Sequence, residues 1–191
     1  AELALAWALS KQPITSLIEL EAGTQLLYFF AGPMSASLLL SSSGAYGFVA
    51  SVENMVSKFK AGKAFVTVNA GETLCAPSVI VCESGSQPVA RATYVACAST
   101  GGRILTFELG ELKTMPNGGR GLMLIDLQDK DTLAGAAAYA RSIRIDGVGR
   151  GGKARDETLE IRSLNNARGL RARKGKLADL GFKPVSITRV E

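Results

Sequence analysis

Three short loops in this chain each combine a glycine with a lysine or arginine, and they recur at a nearly constant spacing. They are Ala61-Gly62-Lys63, Gly118-Gly119-Arg120 and Lys174-Gly175-Lys176. A constant period, here about 57 residues, indicates a repeated supersecondary unit. Stacked copies would place the cations along one edge, which suits a polyanion better than a small substrate.

Positive charge is concentrated in the last part of the chain. Residues 1–140 carry 9 Lys+Arg and 11 Asp+Glu, whereas residues 141–191 carry 13 and 6, within a net charge of +5. The cations are densest between Arg168 and Lys176. This density favours an anionic partner, either nucleic acid or an anionic membrane surface; the alternative is a solvated basic edge that only aids solubility.

The residue types argue against catalysis by this chain. It has no histidine, which removes Ser-His-Asp and Cys-His arrangements and any Cys/His zinc site. The three cysteines, Cys75, Cys82 and Cys97, form no C-x-x-C pair and are interpreted as small buried apolar residues. We therefore expect no catalytic residue, no bound metal and no cofactor in this chain.

Two further clusters favour a structural interpretation. Asp126, Asp129 and Asp131 lack the glycine and terminal glutamate of an EF-hand loop, so we expect a surface turn rather than a Mg²⁺ or Ca²⁺ site. Residues 117–121 lack the G-x-x-x-x-G-K-[ST] frame of a phosphate-binding loop. The single tryptophan, Trp7, and the tyrosines do not alternate with the basic loops, which favours contact with a duplex backbone over base stacking.

The elements that would position the loops are short strands. An apolar run ending in a turn occurs at 38–44 and again, one period later, at 95–101. An alternating segment typical of a half-buried strand follows each run, at 48–52 and 104–109. Each copy continues with a polar helical turn, the basic loop and a β-rich run, at 53–59 and 65–68 in the first copy and at 111–115 and 122–125 in the second.

The third copy is looser and the beginning of the chain lacks a basic glycine loop. The third copy is predicted to have its strands at 142–145 and 158–161, an expanded turn over 146–157 and a helical turn at 163–167. Residues 14–20 and 26–30 are also strand-like.

Composition predicts a folded all-β protein. The chain is 47% hydrophobic and has 21 glycines against six prolines, which fits many tight turns between short strands. No window holds the roughly 18 uninterrupted apolar residues of a membrane helix. The beginning of the chain, Ala1 to Leu9, lacks the pattern of a secretion signal, so we expect a cytoplasmic location.

Five segments carry a resemblance to a known family. They are Ser43–Val49, which is the most specific, Ala61–Ala64, Asn117–Gly121, Arg168–Arg171 and Ile187–Glu191. They resemble the C-terminal domain of the A subunit of bacterial topoisomerase IV, and the corresponding domain of gyrase is similar but less close. The resemblance implies a β-pinwheel, a propeller-like array of four-stranded blades that exchange strands. We expect a partial array of three to four blades in one domain: a partial or degenerate blade at 1–36 and blades at 37–92, 93–140 and 141–191, the last one basic.

The same resemblance implies a non-catalytic domain that binds and bends double-stranded DNA without reading its sequence. Its parent would be a type IIA topoisomerase that uses Mg²⁺ and ATP elsewhere. The implied partners are the rest of the parent chain, the ATPase-bearing B subunit of the enzyme, and a second copy of the parent chain. The implied location is the nucleoid, with peripheral membrane association as an alternative. A propeller-like protein-interaction module with a basic edge is the competing hypothesis.

One motif separates topoisomerase IV from gyrase. Residues 149–154 imitate part of the glutamine-arginine-arginine-glycine-glycine-lysine-glycine box of the gyrase domain, but the leading glutamine and the first arginine are missing and Ala154 replaces the final glycine. This departure favours topoisomerase IV over gyrase.

The predicted DNA contacts are lysines and arginines of the three full copies, each expected to bind phosphate rather than bases. They are Lys58, Lys60, Lys63, Arg103, Arg120, Arg150, Lys153, Arg155, Arg168, Arg171, Arg173, Lys174 and Lys176.

Overall fold

A computed structural model describes residues 26–59, 62–81, 92–128 and 130–190 of the chain. These residues form antiparallel strands joined by tight turns, and the predicted all-β class is confirmed. The strands are β1 (Ser37–Ser41), β2 (Tyr46–Ser51), β3 (Ser78–Val81), β4 (Tyr94–Ser99), β5 (Arg103–Glu108), β6 (Leu122–Met123), β7 (Leu133–Tyr139), β8 (Ser142–Val148), β9 (Ala154–Glu160), β10 (Lys176–Leu177) and β11 (Lys183–Val190).

Helical structure in the described residues is limited to single turns, most of which follow the second strand of a hairpin. These turns are α1 (Val52–Met55), a 3-10 turn at Leu109–Glu111, and α2 (Ile161–Leu164), which continues into a 3-10 turn at Asn165–Ala167. One more 3-10 turn, Arg150–Gly152, lies within the third hairpin.

The strands form three sheets built on three hairpins, and neighbouring repeats exchange strands. The sheet orders are β3-β1-β2-β6, β10-β5-β4-β7 and β11-β8-β9. The short strand β6 follows the second hairpin along the chain but pairs with β2 of the first. In the same way, β10 follows the third hairpin but pairs with β5 of the second. Each exchanged strand therefore connects one repeat to the sheet before it.

The same hydrogen bond closes the open end of every hairpin. The N–H group of Val52 donates to the carbonyl of Ala36 at 2.9 Å, that of Leu109 to Thr93 at 2.9 Å and that of Ile161 to Arg141 at 2.8 Å. The first two bonds are separated by one period of the sequence repeat. The third bond closes the hairpin of the looser last copy in the same way.

The core lies between the sheets, and the second sheet is covered on both faces. Val95 and Cys97 of β4 pack toward the first sheet, whereas Ala96 and Ala98 pack toward the third. Small residues permit close approach, since a Cβ atom on Gly135 would lie 2.8 Å from Cγ2 of Ile187. Because both faces of the second sheet are buried, β4 is a continuous apolar run rather than an alternating one.

Several predicted elements differ from the structure. The expanded turn predicted over 146–157 is wrong, because β8 and β9 extend by register pairing to Val148 and Ala154 and leave only residues 149–153 as turn. Residues 26–30 form no strand, and 65–68 form only one bridge, at Val66, because their neighbours are irregular loops. The strand-like segment 14–20 lies outside the described residues.

Within the described ranges, no helix has the length and apolar character needed to cross a membrane.

Candidate nucleic-acid interface

The basic residues are carried by three loops, defined here as the first (62–67), second (116–121) and third (170–175) basic loops. The second loop leads into β6 and the third into β10, so both reach the hairpin of the preceding repeat near its tight turn. The turn of the third hairpin, residues 149–153, carries Arg150 and Lys153 and lies at the corresponding end of the third sheet. The repeat architecture thus places cations at the same end of successive sheets.

Backbone hydrogen bonds join consecutive loops into one path. In the second loop, the N–H group of Gly119 donates to the carbonyl of Phe65 at 2.8 Å, and the carbonyl of Gly119 accepts from Thr67 at 2.9 Å. The third loop is bonded to the segment that follows the second loop and β6, because the N–H group of Ala172 donates to the carbonyl of Leu124 at 2.9 Å and the carbonyl of Arg173 accepts from the N–H group of Asp126 at 3.0 Å. The first, second and third basic loops are therefore neighbours in space.

Glycine is required where each exchanged strand meets its hairpin. Gly121 has φ of +85°, and a Cβ atom there would lie 2.3 Å from the carbonyl oxygen of Gly47. Gly175 has φ of +66°, and its Cβ would lie 2.6 Å from the carbonyl oxygen of Ile104. Gly121 and Gly175 are therefore structurally equivalent. The repeat spacing in the sequence pairs Gly119 with Gly175 instead, and that alignment is wrong. In the corrected alignment, Arg120 corresponds to Lys174.

Some of the arginines predicted to contact DNA bind other side chains of the protein instead. The Nη2 atom of Arg120 lies 2.9 Å from Oε1 of Glu72, and its guanidinium stacks 4.0 Å from the ring centroid of Tyr46. At a different position, the open end of the second hairpin, Arg168 is also paired and stacked, with Glu108 at 2.8 Å and the Tyr94 ring centroid at 4.6 Å. A guanidinium that is paired and stacked in this way has fewer donors free for phosphate.

Two other arginines hold the third loop in place. Nη1 of Arg171 donates to the carbonyl of Met123 at 2.6 Å, while its backbone N–H group donates to Oε2 of Glu111 at 2.9 Å. Nη1 of Arg103 donates to the carbonyl of Gly175 at 3.3 Å. Both side chains are half-buried, which connects the loop to the sheets on which it lies.

The remaining predicted cations that the structure describes are exposed. Lys63 donates to the carbonyl of Asn54 and lies 5.3 Å from the Phe65 ring centroid. Lys58 follows α1 at the open end of the first hairpin, away from the tight turn. Lys60 lies outside the described residues. Six exposed cations near the turn ends make no ion pair or side-chain hydrogen bond within the described ranges: Arg150, Lys153, Arg155, Arg173, Lys174 and Lys176.

Sequence reasoning missed one cation beside this group. Lys183 opens β11 and pairs in register with Val148, the last residue before the 149–153 turn, so its exposed side chain lies at the same end of the third sheet. It lies outside the basic glycine loops, and only strand pairing brings it there. The register of β11 against β8 was not readable from the sequence.

Acidic residues close the turns of the first two hairpins. Asp131 accepts from the N–H group of Gly101 at 2.8 Å and from Oγ1 of Thr100 at 2.9 Å. Burial raises the pKa of Asp131, but these hydrogen bonds and others lower it more, so the pKa lies below its usual 3.8. Glu72 occupies the equivalent place in the first hairpin, accepting from Oγ of Ser42 at 3.3 Å. The turn expected for the aspartate cluster holds a structural carboxylate at Asp131, and Asp129 lies outside the described residues.

The cysteines and acidic residues are the remaining candidate site residues. No group of three or more Cys, Asp or Glu side chains there could hold a metal ion. Cys75 and Cys97 are free and buried, and burial raises the pKa of both thiols, to about 11 for Cys75. Cys82 lies outside the described residues.

Comparison with known proteins identifies the repeated unit. The family described as the DNA gyrase C-terminal domain, a β-propeller, matches residues 93–139. The A subunit of DNA topoisomerase 4 from Neisseria gonorrhoeae is 35% identical over 166 residues, which is 86% of this chain and 21% of that protein. The chain thus spans about a fifth of the length of this relative.

Solved structures give the same fold. The Escherichia coli ParC C-terminal domain superposes with a TM-score of 0.73 at 24% identity, covering 92% of this chain and 69% of that one. A crystal structure of the C-terminal domain of DNA topoisomerase IV gives a TM-score of 0.61 at 15% identity, covering 81% of this chain and 46% of that one. The exchanged strands and these likenesses confirm the β-pinwheel fold. Residues 93–139 thus match the family of gyrase C-terminal domains, and the chain as a whole is similar to the A subunit of topoisomerase 4.

Proposed function

We propose that this chain is a non-catalytic domain that binds and bends double-stranded DNA without reading its sequence, and thereby helps topoisomerase IV select segments for decatenation or relaxation. The observation that supports this proposal most directly is the hydrogen-bonded succession of three basic loops. It brings the exposed Lys63 of the first loop onto the same path as the exposed Arg173 and Lys174 of the third loop, an arrangement that suits successive phosphates of one duplex.

The whole protein's role is part of the same proposal. The similarity to the topoisomerase 4 relative supports a parent that is an ATP-dependent DNA topoisomerase. Its partners would be the remainder of the parent chain, the ATPase-bearing B subunit of the enzyme, and a second parent chain, with Mg²⁺ and ATP acting outside this domain. The protein would act at the nucleoid, where its DNA substrate is.

The geometry favours phosphate contact over base reading. The exposed cations near the turn ends are flexible lysines or arginines on loops, and the described ranges present no α-helix longer than four residues for the major groove. If the six unpaired cations bind together, log K should fall with log salt concentration at a slope of about −5.

A salt titration of the chain against a duplex of about 40 base pairs and arbitrary sequence tests the proposal. The informative variant is Arg173→Ala/Lys174→Ala, which removes two exposed charges of the third loop. Its control is Arg141→Ala/Arg162→Ala, which removes the same charge at the open end of the third hairpin. We expect the first variant to flatten the slope by about 2 and the control to leave it unchanged.

Two results would overturn this proposal. One is the absence of duplex binding at low salt, together with binding to an acidic protein, which would favour an interaction module. The other is an equal loss of slope in both variants, which would indicate a response to net charge rather than binding along the loops.

A further inference from the structure

Two exposed apolar residues occupy the same position in the second and third basic loops. The equivalence follows from backbone contacts, since the N–H group of Met115 donates to the carbonyl of Val49 and that of Gly169 donates to Thr106. The residues that follow, Pro116 and Leu170, are therefore equivalent, and both are exposed. Leu170 has 63% of its surface accessible although it lies among arginines and lysines. An exposed apolar residue at this position is therefore a feature of both loops.

Leu170 is held outward by fixed backbone on both sides. The N–H group of Gly169 donates to Thr106 at 2.9 Å, and the N–H group of Arg171 donates to the carboxylate of Glu111 at 2.9 Å. The side chain of Arg171 adds a third connection, to the carbonyl of Met123. The ordering entropy of this loop is thus lost on folding rather than on binding, which favours contact with a ligand.

The backbone after Leu170 is strained. Ala172 has φ of +61°, a conformation that is unfavourable for a residue with a Cβ atom, whereas the equivalent position in the second loop is Gly118 with φ of +70°. The hydrogen bond from Ala172 to Leu124 maintains the turn. Strain of this kind persists where the surrounding structure over-determines a conformation, often at ligand contacts.

We propose that Leu170 and Pro116 are apolar wedges that insert between base pairs from the minor groove and kink the duplex at two points, one for each repeat. This proposal rests on the proposed function, because the exposed cations of the third loop and of the 149–153 turn must first bring the phosphate backbone to the path that the loops form. Proteins that bend DNA commonly insert leucine or proline at a base step while neighbouring cations bind the adjacent phosphates. Here Arg173 and Lys174 follow Leu170 closely in the same loop and are exposed.

Duplex DNA fits these side chains better than a membrane does. An interfacial membrane anchor presents a continuous apolar face. In the third loop the apolar residue stands between Gly169 and Arg171, and the second loop has Pro116 before Asn117 and Gly118. One exposed apolar side chain on each loop suits a base step, where one side chain is enough.

The test uses the complete chain and two end-labelled duplexes of about 40 base pairs, one rich in TpA and CpA steps and one made of A-tracts. Bending is measured by energy transfer between the ends, and affinity and salt slope by titration. The variants are Leu170→Ala and Pro116→Ala/Leu170→Ala. Val185→Ala is the control, because Val185 is 58% exposed but lies on β11, outside the basic loops.

We expect the unaltered chain and Val185→Ala to bind the step-rich duplex about tenfold more tightly than the A-tract duplex, because pyrimidine–purine steps are easily kinked. The double variant should bind both within about twofold and lose most of the bend, with an unchanged salt slope because no charge is removed.

Unchanged bending and preference in the double variant, in a chain that still binds DNA, would overturn the wedge alone. Failure of the unaltered chain to bind either duplex would overturn the proposed function as well. A third result, in which Leu170→Ala lowers binding to phosphatidylglycerol vesicles but leaves DNA bending intact, would overturn the wedge and assign the side chain to a membrane.

Discussion

The guanidinium of Arg120 and the carboxylate of Glu72, 2.9 Å apart, join the second basic loop to the hairpin of the preceding repeat. Glu72 also accepts a hydrogen bond from Ser42 in the turn of that hairpin, so one carboxylate connects the loop and the turn. The ring of Tyr46 lies against the same guanidinium, with its centroid 4.0 Å from Cζ. This cation therefore fixes the exchanged strand in place.

Replacing Arg120 should affect stability more than DNA binding. We expect Arg120→Ala to lower the free energy of unfolding by about 1–2 kcal/mol, because a half-buried ion pair and a stacked guanidinium are lost together. The salt slope of DNA binding should stay within a few tenths of its original value. Urea denaturation and salt titration measure the two effects.

The matched control is Lys174→Ala, at the equivalent position of the third loop. Lys174 is exposed and has no ion pair among the described residues, so its removal should change stability by less than about 0.5 kcal/mol and flatten the slope by about 0.9. If Arg120→Ala flattened the slope as much as Lys174→Ala, Arg120 would be a phosphate contact after all.

Asp131 should make the second hairpin sensitive to acid. Its pKa is depressed in the folded chain, so its ionised form stabilises the fold above the unfolded pKa of about 3.8, and this contribution is lost as the pH falls through the folded value. We expect Asp131→Asn to cost about 1–2 kcal/mol at pH 7 and progressively less below about pH 4. Urea denaturation at a series of pH values from neutral to about pH 3 measures the difference, and a difference that grows with acidity would contradict this account.

The hairpins were predictable because their signals are local. The apolar runs, the turn at Ser43-Gly44 and its counterpart at Thr100-Gly101, and the alternation in β2 and β5 all lie within a few residues of one another. The second sequence copy then fixed the period. Among the three hairpins, only the length of the third turn was overestimated, because the polar residues on a solvated strand resemble a loop.

Strand exchange was expected only from the family resemblance, and neither the residues that form the exchanged strands nor the roles of individual cations were predictable from local sequence patterns. Strand β6 is two residues long and pairs with a strand of the preceding repeat, far earlier in the chain, so it carries no alternation of its own. Arg120 and Lys174 are both cations beside glycine, and only the distant Glu72 distinguishes the bound side chain from the exposed one. The composition gave the number of lysines and arginines, but not which of their side chains are exposed and unpaired.

The buried thiols should be inert in the folded chain. Cys75 has a pKa of about 11, so at about pH 8 only about one thiol in a thousand is ionised, and Cys97 is completely buried. In a Cys82→Ser background we expect no reaction of the native chain with dithionitrobenzoate over minutes, and reaction of two thiols in concentrated guanidinium. Rapid native labelling would show that the interface between the first two sheets opens readily.

Alanine substitutions at two glycines with the same backbone conformation should lower the free energy of unfolding by different amounts, according to the surroundings of each glycine. Gly121 and Gly151 have φ of +85° and +75°, but a Cβ atom on Gly121 would lie 2.3 Å from the Gly47 carbonyl oxygen, whereas one on Gly151 would have nothing within 4 Å. Gly151→Ala should therefore cost only the conformational strain, about 1 kcal/mol. Gly121→Ala should cost about 3 kcal/mol or more, because β6 must move away from β2. Urea denaturation of both variants compares these costs, and equal losses would mean that the exchanged strand is not closely packed on the first hairpin.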